Sequence, residues 1–245
     1  MPIDTDKDIL SIYNLDFFPE KDFLAVFDVD ETLINLKSMF SFLEFYYVNK
    51  IGIYHGTKAY QLKIKEIKKM TLLKSREEIN RDFYRFFYGE KLSYLESCAE
   101  QWFDKVSREK GFFLKESCWL LKNMRSYGAK IVFLSGSAEF ILRPIVRNLG
   151  GGDVLSITLG TKDGYVTGEI EGFQTIGSGK RDALKDYIKK KKLSMENAWA
   201  IGDHISDLPF LEMARYPCIM SGNKDLEDIA QKKNWPILNN KKFAE

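Results

Sequence analysis

Four short apolar runs along the chain predict buried β-strands. The runs are FLAVF (Phe23–Phe27), KIVFL (Lys130–Leu134), AWAI (Ala198–Ile201) and PCIM (Pro217–Met220). Each is almost continuously apolar rather than alternating, which is typical of strands that are covered on both faces. We therefore expect a parallel sheet with helices packed on either side.

Helical patterns separate these runs. Residues 116–127 precede the second run, residues 138–149 follow it, and residues 181–192 and 208–214 accompany the later runs. This order predicts a doubly wound α/β core with a Rossmann-like parallel sheet. The segment GTKDGYVTGEIEG over residues 160–172 departs from the pattern and predicts a small β-hairpin.

The segment over residues 37–115 has strong helical periodicity and little strand character. It holds 16 Lys and Arg against 10 Asp and Glu, a net charge of +6, whereas the rest of the chain has 21 against 25, a net charge of −4. It also contains 17 of the 34 aromatic residues. We interpret it as a helical domain of residues 37–115 inserted into a core of residues 1–36 and 116–245. The alternatives are a lid that attracts an anionic substrate and a helical layer with a solvated charged face.

Composition narrows the class of protein. The 245 residues are 44% hydrophobic and 29% charged, as in a globular protein, and the net charge of +2 gives no reason to expect nucleic acid or membrane as partner. Cys98, Cys118 and Cys218 have no metal-binding spacing. The beginning, MPIDTDKDIL, lacks signal-peptide character, and no run reaches the length of a membrane span. The expectation is a cytoplasmic protein of undetermined oligomeric state.

Polar residues follow several predicted strands at the point where each strand ends. They are Asp28, Asp30 and Thr32, then Ser135, then Lys180 at the start of a helix, then Asp203 and Asp207. The carboxyl ends of parallel strands form the ligand-binding edge of such a sheet, so these residues can converge there. Carboxylates so close together repel unless a hard cation such as Mg²⁺ binds them, and an adjacent lysine and serine suit a phosphate group.

Each residue also has an ordinary structural explanation. An aspartate at a strand end often caps a turn or helix, which applies to Asp28, Asp203 and Asp207. The stretch Ser135–Ser137 could act only as an N-cap, and Lys180 could be a surface lysine. Taken singly, the last two are better explained in this way. Together, in this order, the residues favour a site.

The motifs DVDET (Asp28–Thr32), FLSGS (Phe133–Ser137), Lys180 and GDHISD (Gly202–Asp207) occur in the order found in the haloacid dehalogenase superfamily of phosphohydrolases. This resemblance covers nearly the whole chain. The late run over residues 206–238 and the hairpin segment DGYVTGEIEG resemble subfamily IB, the phosphoserine-phosphatase-like group. That resemblance implies the superfamily's core fold with a helical cap of the C1 type, inserted where the basic helical segment lies here.

The resemblance also implies roles. Asp28 would be the nucleophile and Asp30 the general acid and base, while Ser135 and Lys180 would hold phosphoryl oxygens. Mg²⁺ would be bound by Asp28, the backbone carbonyl of Asp30 and Asp203, with Asp207 as a further or indirect ligand. The remaining members of the implied substrate site are Thr32, which would orient the first loop, and Gly136.

The substrate is expected to be a small phosphorylated metabolite, because a cap encloses the site. Arg76, Arg81 and Arg85 are candidate cap contacts, and Arg81 and Arg85 share a helix face. Surface solvation explains them equally well. His204, next to Asp203, is expected to shape the rim of the pocket.

Lys37 is the expected specificity residue. True phosphoserine phosphatases carry a glutamate nine residues after the nucleophile, and Lys37 occupies that position here. Its charge would repel the ammonium group of phosphoserine and favour a neutral or further anionic phosphate ester. Alternatively Lys37 faces water, Glu31 or Glu44 takes the glutamate's place, and amino-alcohol phosphates stay possible.

Other classes of function stay open at this stage. Dehalogenases of the superfamily lack the second acid, which Asp30 supplies here, whereas a phosphonatase would need a cap lysine. A non-catalytic phospho-acceptor also has acids, Ser or Thr and Lys at strand ends, but it is about half as long. A purely binding or structural protein is the last alternative.

Overall fold

The computed structural model describes residues 23–239, and the acidic N-terminal stretch MPIDTDKDIL lies outside them. Its centre is a seven-stranded sheet in the order β4-β3-β2-β1-β5-β6-β7. All neighbouring strands are parallel except β3 and β4, which are antiparallel. The predicted α/β class with a Rossmann-like parallel sheet is therefore confirmed.

The strands and helices have the following bounds. The strands are β1 (Leu24–Phe27), β2 (Lys130–Ala138), β3 (Asp153–Lys162), β4 (Tyr165–Glu171), β5 (Trp199–Gly202), β6 (Tyr216–Met220) and β7 (Ile237–Leu238). The helices are α1 (Ser38–Ile51), α2 (Ile53–Met70), α3 (Arg76–Tyr84), α4 (Leu92–Val106), α5 (Lys115–Ser126), α6 (Glu139–Asn148), α7 (Ser178–Lys191), α8 (Leu208–Leu211) and α9 (Lys224–Lys233). Short 3₁₀ turns occupy Arg85–Phe87 and Ile205–Asp207.

Strand β1 is buried on both faces, as its unbroken apolar run predicts. Ala25 and Phe27 belong to one hydrophobic cluster, whereas Leu24 and Val26 belong to a second. Because successive side chains of a strand point to opposite faces, these clusters are the two layers above and below the sheet. The continuous hydrophobicity of β1 thus follows from its central position between β2 and β5.

Helices α1 to α4 lie in the insertion between β1 and β2. Their aromatic residues are mainly core, since Phe42, Phe83, Phe87 and Trp102 are fully buried in the same cluster as Phe27 of the sheet. Edge-to-face contacts connect them, including Phe42 with Phe140 of α6 at 5.2 Å between ring centroids. The helical character predicted for this segment is confirmed.

The predicted hairpin is present but larger than expected. Residues 160–172 contain the end of β3, the turn and β4, and β3 begins earlier, at Asp153, where it pairs with β2 in the main sheet. The first half of β3 is only partly buried, so it lacks the continuous apolar run that identified the other strands. Strand β7 has two residues and is too short to give a pattern.

Two expectations from composition concern the three cysteines and membrane spans. Cys98 and Cys218 are buried and Cys118 is partly buried, and all three are free thiols. Within residues 23–239, the helices lack the combination of length and hydrophobicity that crossing a bilayer requires.

Candidate active site

Three neighbouring strands bring their carboxyl ends to one place. The register aligns Phe27 of β1 with Phe133 of β2 and with Ile201 of β5. Asp28 follows Phe27 directly, while Ser135 and Asp203 each lie two residues beyond the aligned position. The backbone NH of Asp28 still donates to the carbonyl of Ile201, at 2.8 Å, so the first acid is anchored to the sheet.

Lys180 joins two of the aspartates. Its Nζ lies 2.5 Å from Oδ1 of Asp28 and 2.6 Å from Oδ1 of Asp207. The residue is only 6% exposed, which rules out the alternative of an ordinary surface lysine. Burial alone would lower the pKa of Lys180, but the two carboxylates outweigh burial and raise it, so the side chain is a fixed cation.

Asp28, Asp203 and Asp207 form a compact acidic cluster. Each offers a carboxylate oxygen, and these oxygens lie within 4.8 Å of one another. The Thr32 hydroxyl lies 3.3 Å from Oδ2 of Asp28 and 3.1 Å from Oδ1 of Asp203, so it bridges the first loop to the fourth motif. This contact fits the expectation that Thr32 orients the loop.

The cluster carries more negative charge than its lysine can balance. Three carboxylates face one ammonium group, which leaves two negative charges if all of them ionise. Burial first, and then the charges of Asp28 and Asp207, raise the pKa of Asp203 to about 9. Burial likewise raises the pKa of Asp28 to about 6, against the opposing effect of Lys180. A divalent cation would supply the missing positive charge, and oxygen donors suit a hard ion.

Asp207 also organises the loop after β5. Its Oδ2 accepts hydrogen bonds from the backbone NH groups of Asp203 and His204, both at 3.3 Å. Asp207 therefore caps the 3₁₀ turn Ile205–Asp207, whereas helix α8 has no side-chain cap, and this role coexists with the contact to Lys180. Gly202 makes this approach possible, since a Cβ there would lie 2.8 Å from Oδ2 of Asp207.

Asp30 is held by two serines that the sequence did not identify. Its Oδ2 accepts from the backbone NH of Ser38 at 3.0 Å and from the hydroxyl of Ser137 at 3.1 Å. The two serine hydroxyls are themselves 2.7 Å apart. Oδ1 of Asp30 is buried and has no hydrogen-bond partner among residues 23–239. Burial, followed by the charge of Asp28, raises the pKa of Asp30 to about 7.

Ser135 is buried in β2, in the irregular stretch between Leu134 and Ala138 where the pairing with β3 shifts register. Its Oγ accepts from the backbone NH of Ser137 at 3.2 Å, and its carbonyl accepts from the hydroxyl of Thr175 at 2.6 Å. Helix α6 begins after Ala138 without a side-chain cap, so the N-cap explanation of Ser135–Ser137 is wrong. The Ser135 hydroxyl has no acceptor among residues 23–239, so it can donate to a ligand.

Gly136 connects the site to the helical insertion. Its carbonyl accepts from the amide of Asn80 at 3.2 Å and from the hydroxyl of Tyr84 at 3.1 Å, both on α3. A Cβ at this position would lie 2.7 Å from the side chain of Ile176, so the close packing requires glycine. The backbone of Gly136 thus lies directly beneath α3.

The arginines of the insertion have different surroundings. Arg81 donates from Nε to Gln174 at 3.0 Å, whereas Arg85 pairs with Asp82 and Glu169 on the exposed surface. The structure therefore places Arg81 beside the loop that leads to Lys180, and it places Arg85 in surface ion pairs.

Arg76 of the helical insertion contacts the α/β domain at the rim of the site. Its Nη1 lies 2.9 Å from Nδ1 of His204, the neighbour of Asp203. The rim position expected for His204 agrees with this contact. Partial burial and the nearby Arg76 lower the pKa of His204.

Lys37 pairs with Glu31. The Nζ to Oε2 distance is 3.3 Å, and the two side chains are 53% and 47% exposed. The alternative in which Lys37 faces water is therefore partly correct, and Glu31 lies beside it. An exposed pair of this kind contributes little to stability.

Five residues to which the sequence assigned no role form hydrogen bonds with the residues of the site. Ser38, Ser137, Asn80, Tyr84 and Thr175 all contact the loops that carry the acids and Ser135. Only the position of Ser137, two residues after Ser135, could have identified it from the sequence. Ser38 lies eight residues after Asp30. Asn80, Tyr84 and Thr175 lie at least 40 residues from the groups that they contact, and a single sequence contains no distance information.

The sequence of the chain is similar to a family of hydrolases and to a bacterial protein. A family profile described as "haloacid dehalogenase-like hydrolase" matches residues 25–212. A "Probable phosphatase" of Mycobacterium tuberculosis (strain ATCC 25618 / H37Rv) is 30% identical over 123 residues, which are 50% of this chain and 42% of that protein. The match thus spans less than half the length of that relative.

Two other similarities extend over most of the chain. The "Histidinol-phosphatase" of Neisseria meningitidis serogroup C (strain 8013) is 25% identical over 236 residues, covering 88% of this chain and 98% of that protein. A solved structure titled "Phospho-Aspartyl Intermediate Analogue of Phosphoserine phosphatase" superposes with a TM-score of 0.60 at 19% identity, covering 90% of this chain and 94% of the other. At that identity, the superposition supports the shared fold.

Proposed function

The chain belongs to the haloacid dehalogenase-like hydrolase family, and we propose that it is a phosphatase that hydrolyses a small phosphomonoester through an aspartyl-phosphate on Asp28. The observation that carries the proposal is the pairing of two acids at the end of β1. Asp28 is held beside Lys180, and Asp30 presents, two residues later, a buried Oδ1 that has no hydrogen-bond partner among residues 23–239.

The proposed reaction has two steps. A carboxylate oxygen of Asp28 bonds to phosphorus while the bond from phosphorus to the ester oxygen breaks, and Asp30 gives its proton to the departing alkoxide. Asp30 then takes a proton from water, whose oxygen attacks phosphorus and releases inorganic phosphate and free Asp28. Ser38 and Ser137 would fix Asp30 for both transfers by occupying its other oxygen.

Cationic and polar groups around Asp28 would bind the phosphoryl oxygens. Lys180 supplies a fixed positive charge, the Ser135 hydroxyl supplies a donor, and the loop at Gly136 shapes the space between them. Such preorganised donors stabilise the charge that develops on the transferred group. Thr32 would act indirectly by holding Asp28 and Asp203 together.

The acidic cluster fits Mg²⁺. Its oxygen donors and its excess of negative charge suit a hard divalent cation, with Asp28, Asp203 and the carbonyl of Asp30 as proposed ligands. Asp207 would hold the loop and Lys180, because its Oδ2 accepts from two backbone NH groups of the loop and its Oδ1 contacts Lys180. When bound, the ion would neutralise phosphoryl charge.

Removal of divalent metal is expected to abolish turnover, and Mg²⁺ should restore it. Ca²⁺ should fail to restore it, because Ca²⁺ takes about 6–8 ligands at longer distances and can engage both oxygens of Asp28. The measurement is phosphate release after exhaustive chelation and re-addition of each ion. Full activity in the chelated protein would contradict the metal assignment.

The helical insertion over residues 37–115 is the proposed cap. Asn80 and Tyr84 bond to the site loop at Gly136, and Arg76 meets His204 at the rim. Of Arg81 and Arg85, Arg81 is the better candidate for a substrate contact, because Arg85 is engaged by two carboxylates. A site covered in this way favours small phosphate esters over phosphoproteins.

Phosphoserine is expected to be a poorer substrate than glycerol phosphate, and Lys37→Glu should change that ranking. The substitution replaces the Lys37–Glu31 pair by two carboxylates, which would attract an ammonium group. Because both side chains are half exposed, we expect a shift of about tenfold in relative kcat/KM rather than the full value for a buried contact.

The matched variant Lys37→Gln removes the positive charge without adding a negative one, and it should shift the ranking less. Steady-state kinetics with phosphoserine, phosphoethanolamine and glycerol phosphate make the comparison. A ranking unchanged by Lys37→Glu would remove Lys37 as the discriminator. A wild-type preference for phosphoserine would also do so, and it would favour an amino-alcohol phosphate.

The first test of the proposal is Mg²⁺-dependent release of phosphate from a generic aryl phosphate. An aryl oxyanion is a good leaving group, so the assay does not depend on knowing the natural substrate. A folded protein without turnover on this compound and on a panel of small phosphate esters would favour a phospho-binding function.

A further inference from the structure

The outer face of α2 is a basic surface that also exposes apolar side chains. Residues 53–74 contain six lysines, one glutamate and no arginine. Four of the lysines have no salt-bridge partner within residues 23–239, and all four are exposed; they are Lys58, Lys65, Lys68 and Lys69. The net charge of +2 for the whole chain conceals this local excess, because the rest of the chain is acidic.

Apolar residues lie among and beyond these lysines. Leu62 is 60% exposed on α2, and Leu72 and Leu73, in the turn that follows, are 82% and 88% exposed. Those two are the most exposed large apolar side chains in the described part of the chain. A shallow groove of about 460 Å³ runs along the same face and is lined by Lys58, Leu62 and Lys65, among others.

We propose that the face formed by Lys58, Leu62, Lys65, Lys68, Lys69, Leu72 and Leu73 docks onto an anionic phospholipid surface. Lysines on a helix are attracted to acidic headgroups, and their long aliphatic stems let leucines among them enter the acyl boundary. Charge and exposed hydrophobicity therefore act together on one face.

The combination of lysines and leucines on this face favours an anionic phospholipid surface over a nucleic acid or a second copy of the chain. A nucleic acid would use the lysines but would leave Leu72 and Leu73 in water, and arginine, the common reader of bases and phosphates, is missing from the segment. A second copy of the chain docking face to face would bring the four unpaired lysines of one copy against those of the other, and the like charges would repel.

Docking would bring the mouth of the site toward the bilayer. Leu73 lies three residues before Arg76, whose guanidinium meets His204 beside the acidic cluster. Buried residues attach the other side of α2 to the insertion, with Gly56 packed against Tyr47 and Val48 of α1. The docking face therefore lies outside the proposed catalytic residues, and its test does not depend on turnover.

The test is sedimentation of the full chain with vesicles of phosphatidylcholine alone and of phosphatidylcholine with phosphatidylglycerol. We expect binding only to the anionic vesicles, weakened by salt. Lys65→Glu with Lys68→Glu and Lys69→Glu should weaken binding by on the order of a hundredfold or more. Leu72→Ser with Leu73→Ser should weaken it by roughly tenfold or more.

A charge-matched control uses three exposed lysines of α7, in the variant Lys185→Glu with Lys189→Glu and Lys191→Glu. It should bind as the unaltered chain does, and all three variants should keep the helix content of the parent and its hydrolysis of a soluble aryl phosphate. The proposal is overturned by failure to bind anionic vesicles, by an equal loss in the α7 variant, by unchanged binding in the leucine variant, or by tighter binding to a DNA duplex than to vesicles.

Discussion

Replacing Asp28 with asparagine is expected to lower kcat by at least about three decades while the protein stays folded. The change keeps the shape of the side chain but removes the nucleophilic oxygen, and a loss of this size corresponds to about 4 kcal/mol of transition-state stabilisation. Lys180 keeps its contact with Asp207 in the variant, so the core of the site retains a buried ion pair. The measurement is phosphate release from an aryl phosphate in saturating Mg²⁺.

Asp104→Asn is the matched control for this substitution. Asp104 is an exposed residue of α4, so the same chemical change should leave kcat within about twofold, because surface substitutions rarely affect function or stability. Contaminating phosphatase from purification is measured separately, in a mock preparation from cells that do not express the chain. Robust turnover by folded Asp28→Asn, above that background, would exclude Asp28 as the nucleophile.

Replacing Lys180 with methionine is expected to lower both stability and turnover. The variant leaves the carboxylates of Asp28 and Asp207 buried without their shared cation. Breaking a buried ion pair by removing one partner costs about 3–5 kcal/mol. For a domain of this size, that loss corresponds to a Tm lower by roughly 6–20 °C.

The control is Lys185→Met in the same helix. Lys185 is exposed on α7, so its replacement should change the free energy of unfolding by less than about 0.5 kcal/mol. Both variants are compared by thermal and denaturant unfolding in the presence of chelator, so that metal binding does not contribute. If Lys180→Met were as stable as Lys185→Met, the buried contacts of Lys180 would not be structural.

The core of the fold was predictable because unbroken apolar runs identify most of its strands. FLAVF, KIVFL, AWAI and PCIM are apolar on both faces, and only a sheet covered on both sides satisfies such runs. The first half of β3 gave no such signal, since it lies toward the edge of the sheet and is only partly buried. Its place in the main sheet depends on pairing with β2, which a single sequence does not specify.

The part of the candidate site that lies at the ends of strands was predictable from the sequence. Asp28, Ser135 and Asp203 converge because the parallel register places the ends of β1, β2 and β5 side by side. Lys180 could not be placed from its own neighbourhood, where it looks like any lysine at the start of a basic helix. Its burial depends on the tertiary contact with Asp28, across 152 positions of sequence.

The supporting contacts were not predictable, because they depend on how the insertion lies on the core. Ser38 begins α1 and meets Asp30, while Asn80 and Tyr84 on α3 meet Gly136. The exposed charge of the insertion was visible in the sequence, but the sequence did not separate the lysines paired with carboxylates from those without partners. Lys74 pairs with Asp82, for example, whereas Lys68 and Lys69 do not have such a partner in the described part of the chain.

The measurement that tests the account most directly is capture of the phosphoenzyme in Asp30→Asn with an aryl phosphate. The good leaving group needs little protonation, so the first step should proceed, whereas the second step lacks its base and should stall. Acid quenching followed by peptide mass spectrometry should then locate one phosphoryl group on Asp28. An unmodified chain after a measured burst of the aryl product, or a phosphoryl group on any other residue, would contradict the account.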